Sequence, residues 1–553
     1  MAMPTLLEHL AARLAYHHAR HVYGRFLRTL ADVSAAQQHA LERALRLLQG
    51  SAFARRYGLH AVRSPSDLKH AVPLLTFEDY RPYIDRLCAG ESGALFGAGQ
   101  PIRMFATSSG TTAEPKRIPV TDAFIEDYRR GWNTFGLKML TDHPRAILRP
   151  ILQSSGRYDA ERTSAGIPCG AITGLLAQTQ KRIVRRFYVG RPEVAHLDDP
   201  LARYYTLMRL GIGRDVAFAI TANPATLIEM ARAVDEHSES LIRDVRDCTL
   251  AAQIVTDPGL RRTLTAGLRP DPQRAAELDG LRRAHGALRP RDYWRLEFLA
   301  CWTGGSMGHY LDRLAGWWGN LPVRDVGLLA SEGRVSMPLD DNTPIGVLDV
   351  TAAVFEFIPM SDAEAPHPAT LGPRDLQPGQ DYLVVLTNTT GLTRYRLDDV
   401  VRVHGFLTDA PLIEFLHRAG RVSSIVGEKL TEHQAVAAVQ TACRQAGLPE
   451  IDFVLAPCWG DPPFYRLNCP TSIDPRLPSG IDSALCHQNE EYASRRKSNR
   501  LGTLQLRLVP PNALSAMDRR HSASRRTPTE QYKRPCLLTQ FGEDDQQLMP
   551  HQS

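Results

Sequence analysis

Apolar positions recur every three to four residues over residues 6–30 and again over 34–48, so the chain is expected to open with two amphipathic helices. The second closes on Gly58, and shorter helical patterns follow at 66–70 and 76–87. The period then changes. Residues 102–106 read as a strand and 123–140 as a helix with Thr121-Asp122 at its start. Apolar runs at 146–153, 216–220, 296–302 and 323–329 read as buried strands, with helical stretches at 201–210, 224–234, 253–286 and 307–314 among them. That alternation marks an α/β unit. Residues 347–358 are strand-like, and 382–387 with 391–397 alternate as a hairpin or small barrel does. Charge and glycine interrupt the apolar pattern at 417–421. Beyond it, a helix to about residue 446 and strands at 451–456, 464–468 and 502–509 predict a smaller α+β unit. The expected organisation is an N-terminal domain over 1–417, a hinge at 418–421, a mobile C-terminal domain over 422–540 and a polar, disordered tail over 541–553.

Composition changes this picture little. With 553 residues the chain can bury several cores, and 43% hydrophobic with 23% charged residues is ordinary for a globular protein. A net charge of +6 is too small and too dispersed for a duplex-binding face, so no nucleic-acid partner is expected. Basic residues do concentrate over 495–534, either as solvated surface or to attract an anionic substrate. Nine scattered cysteines without a C-x-x-C pair point to reduced thiols in a cytoplasmic protein. No apolar run has the length of a membrane span, and residues 1–27 lack the apolar core of a secretory signal.

Chemistry enters at Thr107-Ser108-Ser109-Gly110-Thr111-Thr112-Ala113-Glu114-Pro115-Lys116. Backbone N–H groups, hydroxyls and one ammonium converge in this loop, expected between a strand and a helix. Polyphosphate oxygens accept from all three kinds of donor. Gly304-Gly305 follows another strand and suits close approach to a flat ligand such as adenine, or serves only as a turn. Glu332 ends a strand, where it could hold a metal or a ribose or stand on the surface; Asp398-Asp399 could be a metal site, a turn or a partner for sugar hydroxyls. The small-residue stretch 163–174 is a loop or one wall of an acyl pocket. There is no G-x-x-x-x-G-K-[ST] or H-E-x-x-H. The assembled parts fit attack of a carboxylate on the α-phosphate of ATP, helped by charge neutralisation and in-line geometry.

Four stretches resemble the Gretchen Hagen 3 (auxin-responsive promoter) family of acyl-acid amido synthetases, within the adenylate-forming superfamily. They are 108–116 with Ile118-Pro119, Ala330-Ser331-Glu332-Gly333, 395–401, and 427–432; Asn489-Glu490-Glu491-Tyr492 and Gln531-Tyr532-Lys533 add to them. The resemblance implies a large adenylate-forming α/β domain of layered subdomains plus a small β-barrel, followed by a smaller α+β domain. It implies that Ser108, Ser109, Gly110, Thr111, Thr112 and Lys116 wrap the ATP phosphates, that Asp399 binds the ribose, and that Glu332 holds Mg²⁺. Ser331 is then expected near the α-phosphate or acyl carboxylate, with Lys429 and Lys533 meeting the phosphates in different domain orientations. The implied enzyme is a cytoplasmic monomer that uses ATP and Mg²⁺ to join a carboxylic acid to an amine or amino acid. An acyl-CoA ligase or a non-catalytic nucleotide-binding relative are the alternatives. The chain departs from the family pattern where Leu328-Leu329-Ala330 replaces an adenine-stacking tyrosine, and where Asp398-Asp399 replaces Gly-Asp.

Overall fold

The computed structural model describes residues 6–108, 116–304, 310–419, 422–470, 472–524 and 534–548. Helix Leu6–Leu30 lies along helix Asp122–Asp142, and Val33–Leu48 packs on the central sheet. The start of Val33–Leu48 is fixed by Asp32, which accepts from the Ala35 N–H at 2.9 Å. Gln37, buried on its inner face, donates to the carbonyls of Val350 and Ala353 and accepts from the Phe355 N–H at 2.7 Å. One side chain thus satisfies three backbone groups where the sheet would otherwise leave them buried and unpaired.

Among the described residues, three sheets of four or more strands build the N-terminal part. The first has the order Lys116–Thr121, Ile102–Ser108, Pro168–Gly170, Glu161–Arg162. The second is all parallel: Ile151–Gln153, Phe218–Ile220, Phe298–Ala300, Val323–Arg324. Its two middle strands are buried at all three residues, as a parallel sheet with covered faces requires. The third has six antiparallel strands in the order Ser336–Met337, Gly346–Leu348, Ala410–Arg418, Tyr395–Leu407, Asp381–Thr387, Val354–Pro359. The hairpin expected at 382–397 lies in this sheet, where Asp381–Thr387 pairs antiparallel with Tyr395–Leu407.

Other expected elements are shortened or split for local reasons. The run 323–329 breaks after Arg324, and Leu329–Ala330 pairs with Gly333–Arg334. Gly327 makes that break: at φ 81° a Cβ would stand 2.3 Å from the Ser336 carbonyl oxygen. Residues 253–286 form two helices, Pro258–Thr265 and Pro272–His285, each opened by an Asp-Pro pair whose Asp caps it. The helix expected at 307–314 runs over Leu311–Trp318.

The C-terminal part carries the sheet Val454–Cys458, Phe464–Cys469, Gln505–Leu508 and the helices Glu432–Ala446, Leu477–Gln488, Glu490–Lys497 and Ala513–Ser524. It has apolar clusters of its own, built wholly from residues beyond 425. The tail expected to be disordered from 541 includes the packed helix Glu543–Leu548. Leu548 enters a core cluster, and the fully buried Asp544 meets Arg466, Asn468 and Arg507 at 2.9–3.3 Å. A polar composition misled there, because the polar residues are the contacts. Among the described residues, no helix is long and apolar enough to cross a membrane.

Candidate functional site

The hydroxyl-rich loop joins two antiparallel strands, with Ser108 paired to Lys116 at its base. The expected strand-to-helix loop is therefore a hairpin, and helix Asp122–Asp142 follows its second strand. Thr121 caps that helix, accepting from the Phe124 N–H at 3.1 Å. Ser109, Gly110, Thr111 and Thr112 lie outside the described residues, as do Gly305 and Lys533.

From the base of the hairpin, Lys116 reaches into a cluster. Its ammonium donates to the Tyr395 hydroxyl at 3.1 Å and lies over the rings of Phe77 and Tyr395, at 5.5 and 5.8 Å from their centroids. Burial holds that ammonium below its ordinary pKa, with Glu332 pulling the other way. The Tyr395 hydroxyl stands 3.5 Å from Glu332 Oε1. Burial first, and then the Glu332 charge, push the phenol far above its ordinary range, so it stays protonated. Tyr395 can therefore accept from Lys116 and direct its own proton toward Glu332.

Glu332 is 3% exposed. It is placed by the turn between Leu329–Ala330 and Gly333–Arg334, where Asn388 Nδ2 donates to its carbonyl at 2.6 Å. Gly333 is needed there: its φ is 151°, and a Cβ would sit 3.0 Å from that Asn388 nitrogen. The preceding Ser331 has its hydroxyl 3.5 Å from the Thr107 carbonyl, next to the mouth of the hairpin. Lys116 and Glu332 thus meet through Tyr395, with Ser331 beside them.

Asp399 joins them through the third sheet. It is paired across the strands with Arg418. Burial pulls the Arg418 guanidinium down, but Asp399, Glu332, Tyr395 and Asp398 outweigh it and hold the group above its ordinary value. Asp398 adds a further carboxylate beside the cluster, acting on Lys116, Tyr395 and Arg418. Its left-handed backbone (φ 61°) turns it toward Arg396, 3.3 Å away, while its carbonyl accepts from Ala419. Sequence reasoning placed Arg418 in a hinge and Tyr395 in a hairpin, and missed both as members of the cluster.

The Gly304 turn is held from beneath by Asp325. One carboxylate oxygen accepts from the Thr303 N–H and hydroxyl, both at 2.6 Å, and from the Gly304 N–H at 3.1 Å; the other accepts from the Gly327 N–H at 2.6 Å. Burial outweighs these four bonds and pushes the Asp325 carboxyl up to about 6. This residue too was missed. Its signal was an acid inside the apolar run Val323 to Leu329.

Lys429 lies apart from the cluster. Its ammonium is exposed, 3.6 Å from Glu364 of the N-terminal part, on a left-handed residue (φ 47°). The fully buried Glu428 fixes this turn, accepting from the Ile425 and Val426 N–H groups at 2.7 and 2.8 Å and from the Tyr465 hydroxyl. Asn489 locks it from outside, donating to the Glu428 carbonyl at 2.9 Å while capping helix Glu490–Lys497. Two further stretches resolve as structure. In 163–174, Gly170 and Gly174 pack on the backbone of residues 156–158. Within the basic stretch, Arg496, Arg507 and Arg534 are tied to Asp482, Asp544 and Asp518.

Among the described residues, no group of three or more His, Cys, Asp or Glu could hold a metal ion. Glu332 offers one buried carboxylate at the cluster. That fits Mg²⁺, which keeps waters and takes most of its remaining ligands from substrate phosphates.

The fold has a solved counterpart over nearly its whole length. A structure of "GH3.15 acyl acid amido synthetase" superposes with a TM-score of 0.82 at 21% identity and covers 95% of each chain. The sequence matches the GH3 family N-terminal domain over residues 22–323, the GH3 family central domain over 346–418 and the GH3 family C-terminal domain over 433–540. The chain belongs to the GH3 family. Among its relatives are jasmonoyl–L-amino acid synthetase JAR6 of Nicotiana attenuata, 28% identical over 511 residues and 86% of each chain, and probable indole-3-acetic acid-amido synthetase GH3.12 of Oryza sativa subsp. japonica, 26% identical over 572 residues and 92% of each chain.

Proposed function

We propose that this protein is an ATP-dependent acyl-acid amido synthetase that joins a small carboxylic acid to an amino acid. The observation that carries the reading is the convergence of Lys116, Tyr395, Glu332, Asp399 and Arg418 from four separate segments, in a chain whose relatives are named for this chemistry. In the first half-reaction a carboxylate oxygen of the acid attacks the α-phosphorus of ATP, forming an acyl-adenylate and releasing pyrophosphate. In the second, the amine nitrogen attacks the acyl carbonyl, the C–O bond to AMP breaks, and the nitrogen gives up a proton.

Lys116 lies at the base of the loop that would wrap the phosphates, and its ammonium would neutralise charge on the migrating pyrophosphate. Tyr395 keeps that ammonium oriented. Asp399 would accept from the ribose hydroxyls, with Arg418 preventing an uncompensated buried charge. Ser331 would face the α-phosphate or the acyl carboxylate, and the Gly304-Gly305 turn would border the adenine. Glu332 would hold Mg²⁺, which when bound would supply charge neutralisation on the leaving pyrophosphate. The C-terminal domain would turn about 418–421 between the half-reactions and bring Lys533 or Lys429 to the phosphates. The exposed position of Lys429 beside Glu364 fits an orientation in which it is not engaged.

The test is acid-dependent ATP–pyrophosphate exchange across a panel that starts with jasmonate, indole-3-acetate and 2,4-DB, the acids named for relatives and a bound neighbour. Product analysis follows, with an amino-acid panel set against CoA. Exchange that Lys116→Met and Lys533→Ala abolish, with an amide as product, is expected. A thioester formed from CoA without any amide would overturn the second half, and ATP binding without exchange over the whole panel would overturn the first.

A further inference from the structure

A cavity of about 1090 Å³ lies between the N-terminal and C-terminal parts, and a chain of charged groups crosses it. On the N-terminal side, Arg313 projects from helix Leu311–Trp318 with its guanidinium over the Tyr310 ring, 5.7 Å from the centroid. On the C-terminal side, Asp452 accepts a hydrogen bond from Arg313 Nη1 at 2.7 Å. The other Asp452 oxygen stands 3.6 Å from Arg534, and Asp518 of helix Ala513–Ser524 grips Arg534 at 2.6–3.0 Å. Tyr310 belongs to the same group. Burial pushes its phenol up to about 12, and Arg534, Asp518 and Asp452 from the facing domain all act on it.

All five residues line the cavity. The two parts therefore meet here through ion pairs across an open cleft, not through a sealed apolar seam. Arg313 and Asp452 are each about a third exposed, at 34% and 27%. Such a contact is directional, reversible and screened by salt, as a contact made and broken in each cycle has to be. Its placement links two segments already of interest: Arg534 follows Lys533 in the chain, and Tyr310 lies six residues beyond Gly304.

We infer that Arg313 and Asp452 are positioning residues, a latch that holds the C-terminal domain in the orientation seen here and so favours one half-reaction over the other. The catalytic part of this inference rests on the proposed amido synthetase reaction; the domain-holding part does not.

The experiment compares Arg313→Met, Asp452→Asn, the double variant and Arg313→Lys in the full chain. Three quantities are read: pyrophosphate exchange, amide formation from supplied acyl-adenylate, and X-ray scattering of the free protein at low and high salt. Both single neutral variants should shift the scattering toward a broader domain arrangement, as high salt should for the wild type. They should change the ratio of the two half-reaction rates by about fivefold or more, in the range of typical coupling between sites. The double variant should add little to the worse single one, and Arg313→Lys should keep the wild-type ratio. Unchanged scattering, an unchanged ratio, or an equal fall in both half-reactions with loss of thermal stability would each overturn the latch. Scattering needs no substrate, so a wild-type protein without exchange would refute the proposed reaction and leave the domain contact separately measured.

Discussion

Asp325 offers a quantitative test of the site's electrostatics. Its carboxyl is 1% exposed and is pushed up to about 6 from an ordinary 3.8, because burial outweighs the four donors that surround it. The sign follows from which state binds the proton. Above pH 6 the group is ionised in both folded and unfolded chains, and the folded state bears the cost of the buried charge. Between pH 6 and 3.8 the folded chain takes up a proton that the unfolded chain does not, so this group's contribution to stability rises as pH falls. The gap between 3.8 and about 6, at about 1.4 kcal/mol per decade, is worth about 3 kcal/mol, of which about 2 kcal/mol is reached by pH 4.5. Asp325→Asn removes the titration and keeps the shape. Urea unfolding followed by tryptophan fluorescence, on wild type and variant at steps from pH 7 to 4.5, measures the difference. Trp294 and Trp318 lie in the neighbouring core and report on that domain. The wild type should gain on the variant by about 2 kcal/mol over this range. A difference that stays flat or moves the other way would show that the four hydrogen bonds keep Asp325 ionised, and would refute burial as the dominant influence at the Gly304 turn.

Two other substitutions test separate parts of the molecule. Tyr395→Phe removes the hydroxyl that orients Lys116 and faces Glu332; pyrophosphate exchange should fall about 10- to 100-fold with little change in thermal unfolding, and an unchanged exchange rate would remove Tyr395 from the site. Glu356→Ala leaves the buried Arg394 guanidinium without the carboxylate it meets at 2.9–3.2 Å, which should cost about 3–5 kcal/mol in chemical unfolding; a loss below about 1 kcal/mol would show that the Val72 and Lys69 carbonyls suffice as its partners.

The residues that sequence reasoning reached share one property: each lies in a short motif whose residue types have few other uses. Lys116 after the hydroxyl run, Glu332 at a strand end, and Asp399 in an alternating strand were all found that way. Tyr395 was within reach, since Tyr395, Leu397 and Asp399 are buried while Arg396 and Asp398 are half-exposed, a period-two pattern that already aligned it with Asp399. Arg418 was not. It meets Asp399 only because the strand Ala410–Arg418 returns antiparallel, and that register depends on bulges between Val400 and Val401 and between Val403 and Gly405. The polar tail failed for a related reason. Composition describes single residues, whereas Asp544 is buried because Arg466, Asn468 and Arg507 converge on it from two strands.

Charge gives the proposed reaction a requirement of its own. The described cluster sets Lys116 and Arg418 against Glu332 and Asp399, with Asp398 beside them facing Arg396. Its cations are already matched by carboxylates, so it holds no surplus positive charge to offset a nucleoside triphosphate. Pairing of this kind keeps the empty site stable, since none of the buried charges stands alone. The missing positive charge must then arrive with the substrate or with a moving part. In the proposed reaction Mg²⁺ would come with the phosphates, and Lys429 and Lys533 would come with the C-terminal domain. An enzyme that left those cations permanently at the site would pay for their mutual repulsion between turnovers. If they ride on a body tethered by ion pairs such as Arg313 to Asp452, as proposed, the field at the phosphates would change between half-reactions, strengthening when pyrophosphate must leave and relaxing when a neutral amine must approach.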